Sequence, residues 1–241
     1  MKNLFAFLGF LALLFMACST RHIPLQQSFN QPIPVSRFLV TFEEIDMKEF
    51  EGRASGLIPD IMEGWEFLNA MKQVYQELKH PEQSSVRKMV DTLYQYLAEE
   101  FEQNLHLKLL PMEALENVQR DIFGVPMEGA SSFLKKNHYP AAMEVEIDAD
   151  YSGGSQVDWE LLFEGKQTYK VKPRISVKVK LVEPNGTILW QDKTNWKSPQ
   201  EVVLTRNWIL GVKSGEKIEA PSPTDMIRQA IHYFVEKNRS S

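Results

Sequence analysis

Apolar and polar residues alternate strictly along residues 174–182. Ile175, Val177, Val179 and Leu181 take one parity, and Ser176, Lys178 and Lys180 take the other. This is the period-two signature of a strand with one buried face. Asn185-Gly186 follows and predicts a tight hairpin turn with positive φ at both central positions. The return strand carries Ile188 and Trp190 on one parity, so a tryptophan is expected in the core. Residues 141–151 repeat the pattern, with Met143, Val145, Ile147 and Ala149 opposite Glu144, Glu146, Asp148 and Asp150. The polar parity of the later stretch is basic (Lys170, Lys172, Arg174, Lys178, Lys180). Like charges on one strand face repel unless offset, whereas opposite charges across a ladder contribute about 0.2–1 kcal/mol per pair. Residues 141–151 and 170–182 are therefore expected to be antiparallel neighbours with interleaved acidic and basic stripes.

Elsewhere the apolar spacing turns helical. Ile61, Trp65, Leu68, Met71, Tyr75 and Leu78 form one stripe ending before Pro81, and Val86, Val90, Leu93, Leu97 and Phe101 predict a helix over 85–104. Ser222-Pro223-Thr224-Asp225 places Ser at N-cap, Pro at N1 and Asp at N3, and predicts a closing helix to about residue 237. Shorter patterns predict strands over 38–42 and 105–109 and short helices over 113–122 and 131–136. Residues 195–220 read as irregular, with 202–204 and 208–210 as short strands. The expected fold class is α+β: a mixed, largely antiparallel sheet with helices packed on one face.

The amino terminus changes the picture. Met1-Lys2-Asn3 precedes an apolar run over residues 4–16, too short to span a bilayer and fitting the hydrophobic region of a signal peptide. The run closes on Leu14-Phe15-Met16-Ala17-Cys18-Ser19, which resembles the lipobox of bacterial lipoproteins. That resemblance implies acylation of Cys18 after removal of residues 1–17, and Ser19 after the cysteine implies the outer membrane. Residues 18–36, with Pro24, Pro32 and Pro34, read as a tether, and residues 37–241 as a single globular domain. Cys18 is the sole cysteine, so an exported form has no internal disulfide and no thiolate chemistry in its folded part.

Composition and motifs add mainly exclusions. The net charge of −5 argues against nucleic acid as the main partner, which would need a concentrated basic surface. The five histidines are scattered singly, without zinc-ligand spacing, and no G-x-S-x-G elbow, phosphate loop or dinucleotide fingerprint occurs. No cofactor is implied. Asp148-Ala149-Asp150-Tyr151-Ser152-Gly153 matches the opening of an EF-hand loop, making Asp148, Asp150 and Ser152 weak calcium candidates. The twelfth position is Trp159 where a bidentate Glu belongs, so the match is incomplete. The glycine-led connection over 152–168 carries Trp159, Leu161, Leu162 and Phe163. It either folds back on the core or forms an exposed contact patch, and these four residues are the candidate partner-binding set.

Val177-Lys178-Val179-Lys180-Leu181-Val182, followed by Gly186-Thr187-Ile188-Leu189-Trp190, resembles a strand and its return in a group of periplasmic lipoproteins. The group comprises the curli-secretion lipoprotein, penicillin-binding-protein activator lipoproteins and the amino-terminal domain of the Tol-Pal translocation protein. The resemblance implies a lipid-anchored periplasmic domain, not an enzyme, that docks on envelope machinery from the outer membrane. Display at the cell surface is the other location. Pore formation is not implied, because 152–168 is too short for membrane hairpins. The alternative is an envelope ligand-binding protein or enzyme, calcium-dependent, built on the acidic cluster Glu144, Glu146, Asp148 and Asp150.

Overall fold

The computed structural model describes residues 22–25, 29–43, 84–151, 154–160, 164–210 and 212–239. The 61–79 helix expected from sequence lies outside them. Eight strands are described: β1 (Val35–Glu43), β2 (Ala142–Asp150), β3 (Ser155–Glu160), β4 (Glu164–Val171), β5 (Arg174–Val182), β6 (Ile188–Lys197), β7 (Val202–Ile209) and β8 (Val212–Glu219). The helices are α1 (Ser85–Leu105), α2 (Ala130–Lys136) and α3 (Pro223–Arg239). This is the expected α+β fold.

The strands form two four-stranded sheets, ordered β1-β2-β5-β6 and β3-β4-β7-β8. Three chain paths run through both. β2 passes into β3 through Tyr151–Gly154, β4 into β5 through Lys172-Pro173, and β6 into β7 through residues 198–201. The second sheet thus continues the first beyond a break. Proline supplies part of that break, since Pro173 offers no amide hydrogen to a ladder. All strand pairs are antiparallel except β1 with β2.

The core lies between the first sheet and the two long helices. Val145, Ile147, Val177, Val179, Trp190, Leu93, Leu97, Phe101, Ile231 and Phe234 belong to one buried cluster. Trp190 is the tryptophan expected there; its ring centroid lies 5.8 Å from those of both Phe101 and Phe234. The short helix α2 packs instead on the opposite sheet face. Its Phe133 and Leu134 cluster with Ala142 and Val182, which share the parity of Glu144 and Lys180.

The charge argument for β2 and β5 holds in register from Arg174 to Val182, whereas Lys170 falls on β4 of the second sheet, opposite Ser155 and Val203. Glu144 faces Lys180, Glu146 faces Lys178 and Asp150 faces Arg174, with the Lys178 ammonium 2.8 Å from Glu146. The helix boundaries hold closely too. Ser84 caps α1 by accepting the Arg87 N–H at 3.0 Å, and the Ser222 hydroxyl accepts the Asp225 N–H at 3.4 Å ahead of α3.

Several local expectations are corrected. Residues 105–109 are not a strand: α1 runs through Leu105 and stops at His106, which is left-handed with φ 57°. Leu107 and Leu109 are buried on either side of Lys108, so their alternation marks packing of an extended segment joined to Ile33 by a single bridge. In place of the helix expected over 113–122 there is one 3-10 turn at its start, Met112–Ala114. The Arg120 guanidinium donates to the Gly124, Met112 and Leu115 carbonyls, and Asp121 accepts the Phe123 and Val125 amides. These side-chain bonds serve backbone groups that a helix would have paired internally.

The Asn185-Gly186 turn also differs. Only Gly186 has positive φ (88°), the Gly186 N–H donates to Glu183 O, and the Glu183 N–H donates to Thr187 O. This is a three-residue loop with a left-handed glycine at its end. Pro184 has no amide hydrogen to pair with Thr187, as a two-residue turn would require, and the Glu183 N–H takes that place. Finally, 152–168 and 195–220 are not loops. They hold the β3–β4 and β7–β8 hairpins, with β6 extended to Lys197.

Candidate functional site

The second sheet has two faces of different character. Opposed residues share a face, and Tyr169 lies opposite Leu204 as Val171 lies opposite Val202. These four make a small buried patch next to the break, with Tyr151 packed against it. Val157 lies opposite Thr168, which lies opposite Thr205, and so sits with Ile209 on the other face. There the apolar residues are open to solvent: Val157 is 60% exposed and Ile209 50%. Leu210, at the turn between β7 and β8, is 71% exposed and left-handed with φ 52°. Left-handed backbone is unfavourable for a leucine, and an exposed leucine gains nothing from core packing in return.

The same end of this sheet receives both hairpin ends, because Glu164 pairs with Ile209. Its framework is hydrogen-bonded, with the Trp208 indole N–H donating to the Gln167 side-chain oxygen at 3.3 Å. β3 and β8 are its outer strands. Among the described residues, the main core joins α1 and α3 to the first sheet only.

The predicted contact residues fall on this sheet in part. Trp159 lies on β3 in register with Lys166, while Leu161, Leu162 and Phe163 lie outside the described residues between Glu160 and Glu164. Ile209 and Leu210 were legible only as a short strand. Their exposure follows from the β7–β8 pairing, which sequence reading missed.

The acidic stripe is a charge ladder built on extended backbone. Asp148 and Asp150 both lie within β2, where Thr41 donates to Asp148 and Arg174 stands opposite Asp150. A cation-binding loop would have to curl around its ion; this strand runs straight through both residues. Ser152 is outside the described residues. No grouping of three or more His, Cys, Asp or Glu side chains able to hold a metal occurs among the described residues. Burial alone would push the Glu146 carboxyl up, but the Lys178 hydrogen bond and the charges of Lys178, Arg37 and Lys180 outweigh it and hold it below the usual carboxylate range.

A second feature lies on the outer edge of β6. Cys18 is outside the described residues, but the chain from His22 onward is not a free tether. The Ile23 N–H donates to Gln191 O at 2.8 Å, and the Gln191 N–H donates to Ile23 O at 3.0 Å. His22 Nδ1 lies 3.1 Å from the buried Asp192 carboxylate, which also accepts from Asn238 at 2.8 Å and has the Lys237 ammonium at 3.7 Å. Leu25 and Phe29 pack against the core, and Ile33 pairs with Leu109. Burial pushes Asp192 up, but the bonds from Asn238, the Lys193 amide and His22, with the Lys237 charge, bring it below its ordinary value. The signal was present in the sequence: Asp192 shares the buried parity of Trp190, an unfavourable place for an acid without partners.

The remaining histidines are structural or exposed. His232 lies 3.2 Å from Glu100 and joins α3 to α1, His106 ends α1, and His138 is exposed. His80 is outside the described residues. No described helix is long and apolar enough to cross a membrane.

No protein-family model and no curated protein matches the chain. Among solved structures, it is similar to a protein from Helicobacter pylori described provisionally as a neuraminyllactose-binding hemagglutinin homolog. The identity is 13%, coverage is 90% of this chain and 91% of that one, and the TM-score is 0.32.

Proposed function

We propose that this chain is a lipid-anchored envelope protein, held to the outer membrane through acylated Cys18, whose periplasmic domain is a non-enzymatic docking module. The second sheet is the surface it offers to a protein partner in the envelope. The observation that carries this reading is the exposure of Val157, Ile209 and Leu210 on a hydrogen-bonded sheet away from the helical core. Burying such side chains in an interface yields about 25 cal/mol for each Å² of apolar surface removed from water. The outer strands β3 and β8 add backbone donors and acceptors suited to strand addition.

A photo-reactive amino acid at Leu210 of the full-length lipoprotein tests the reading in cells. The expected result is a cross-linked product of defined mass from Leu210, lost in a Cys18→Ser background and not formed from the exposed Met127, which bridges to Arg37 of β1. Equal products from both positions, or none from Leu210 in correctly localised protein, would overturn it.

A further inference from the structure

The edge of β6 has a chemistry suited to a lipid surface. Cys18 precedes His22 by four residues, so the acyl-bearing residue lies at most about 14 Å from the Asp192 clamp even with fully extended backbone. The clamp fixes one flank of the domain: His22 and Ile23 lie along the outer edge of β6, where Asn238 and Lys237 of α3 meet Asp192. α3 turns its opposite side to α1, through Arg228 over the Tyr96 ring and His232 against Glu100. Helical spacing therefore puts Tyr233 and Lys237 together on the outer flank. Tyr233 is 48% exposed there, and Lys193 is exposed on β6 next to Asp192, its side chain on the sheet face turned away from α3. An exposed tyrosine with two lysines is the residue set that favours a bilayer interface, the ring at headgroup depth and the ammonium groups toward phosphate.

We infer that this flank, comprising Lys193, Tyr233 and Lys237 around the His22–Asp192 clamp, rests on the bilayer and contacts anionic phospholipid headgroups. The inference rests on acylation of Cys18 and adds the orientation that acylation alone leaves open. It turns the β1 flank away from the lipid. Met127, which bridges to Arg37 beyond β1, lies four strand spacings from β6, or about 19 Å.

The test uses the full-length mature lipoprotein in phosphatidylethanolamine vesicles with and without phosphatidylglycerol. With Cys18 acylated, a cysteine introduced as Asn195→Cys or Met127→Cys is the sole thiol. Headgroup-acceptor quenching of a dye at each position reports proximity, and mass spectrometry scores acylation separately. The expected result is stronger quenching at position 195 than at 127. The difference should grow with phosphatidylglycerol and fall toward parity in Lys193→Glu/Tyr233→Ser, two exposed changes that leave the core intact. Equal quenching at the two positions of acylated protein would overturn the orientation, and no response to phosphatidylglycerol would overturn the anionic headgroup contact, each while leaving anchoring intact. Absence of the acyl group would overturn both.

Discussion

The hydroxyl of Tyr169 accepts the Gly154 N–H at 3.1 Å, and its ring fills the space that a Cβ on Gly154 would need. An added Cβ would lie 2.3 Å from Tyr169 Cζ and 2.7 Å from the Lys170 carbonyl oxygen. The carbonyl is backbone and does not yield as the end of a flexible side chain would. Gly154→Ala should therefore lower stability by about 1–3 kcal/mol, as overpacking does. Tyr169→Phe, which keeps the ring and removes the hydroxyl that accepts the Gly154 N–H, should cost about 1 kcal/mol. Urea unfolding of both variants checks the order.

Trp190 separates volume from polarity. It is fully buried between Phe101 and Phe234, and its indole nitrogen has no hydrogen-bond partner among the described residues. Trp190→Ala should cost about 3–5 kcal/mol through the cavity it leaves. Trp190→Phe should cost less, because it keeps much of the volume and removes a buried unpaired donor. Thermal melts in which the two fall equally would contradict the packing account.

Acid should loosen the domain in a defined direction. Glu128, Glu146 and Asp192 are each held below their ordinary values, against burial, by hydrogen bonds and nearby cations. A carboxylate with a depressed folded-state pKa contributes stability that is complete above the unfolded value, near 4, and lost as pH falls through the folded value. Urea midpoints should hold at neutral pH and decline as pH drops below about 4. In Asp192→Asn part of that decline should vanish, with protease cleavage near residues 22–25 increased at neutral pH.

The charge ladder is testable by reversal. Lys178→Glu sets a like charge against Glu146 and should destabilise by about 1 kcal/mol or less, because both groups are partly solvated. Glu146→Lys in the same chain should recover much of the loss. A double-mutant cycle with no coupling would show that the ladder is incidental to pairing.

The first sheet was legible because its strands have a polar and an apolar side: the parities of Met143–Ala149 and Ile175–Leu181 fixed the faces, and opposite charges fixed the partners. Trp190 and the α3 cap followed from the same local rules. The second sheet was obscure for the complementary reason. Its strands alternate weakly: Lys166, Gln167 and Thr168 run together in β4, and Lys213, Ser214, Gly215 and Glu216 run together in β8. Its order comes from register inherited across the break at Pro173. At 105–109 the alternation was real, but its cause was burial of Leu107 and Leu109 on an extended segment. Of the candidate contact set, Trp159 lies on β3 and the other three residues fall outside the described ones, while the exposure of Ile209 and Leu210 depends on the β7–β8 pairing. The Asp192 clamp needed the contact between residues 22 and 192, which no local pattern carries.

The most direct test of the docking account compares the full-length lipoprotein with Ile209→Ser/Leu210→Ser, isolated from cells under mild cross-linking. Both side chains are exposed, so the variant should melt with the parent and reach the same membrane fraction. The account predicts that a defined envelope protein recovered with the parent is lost from the variant. Equal recovery with both, at matched abundance and stability, would contradict it.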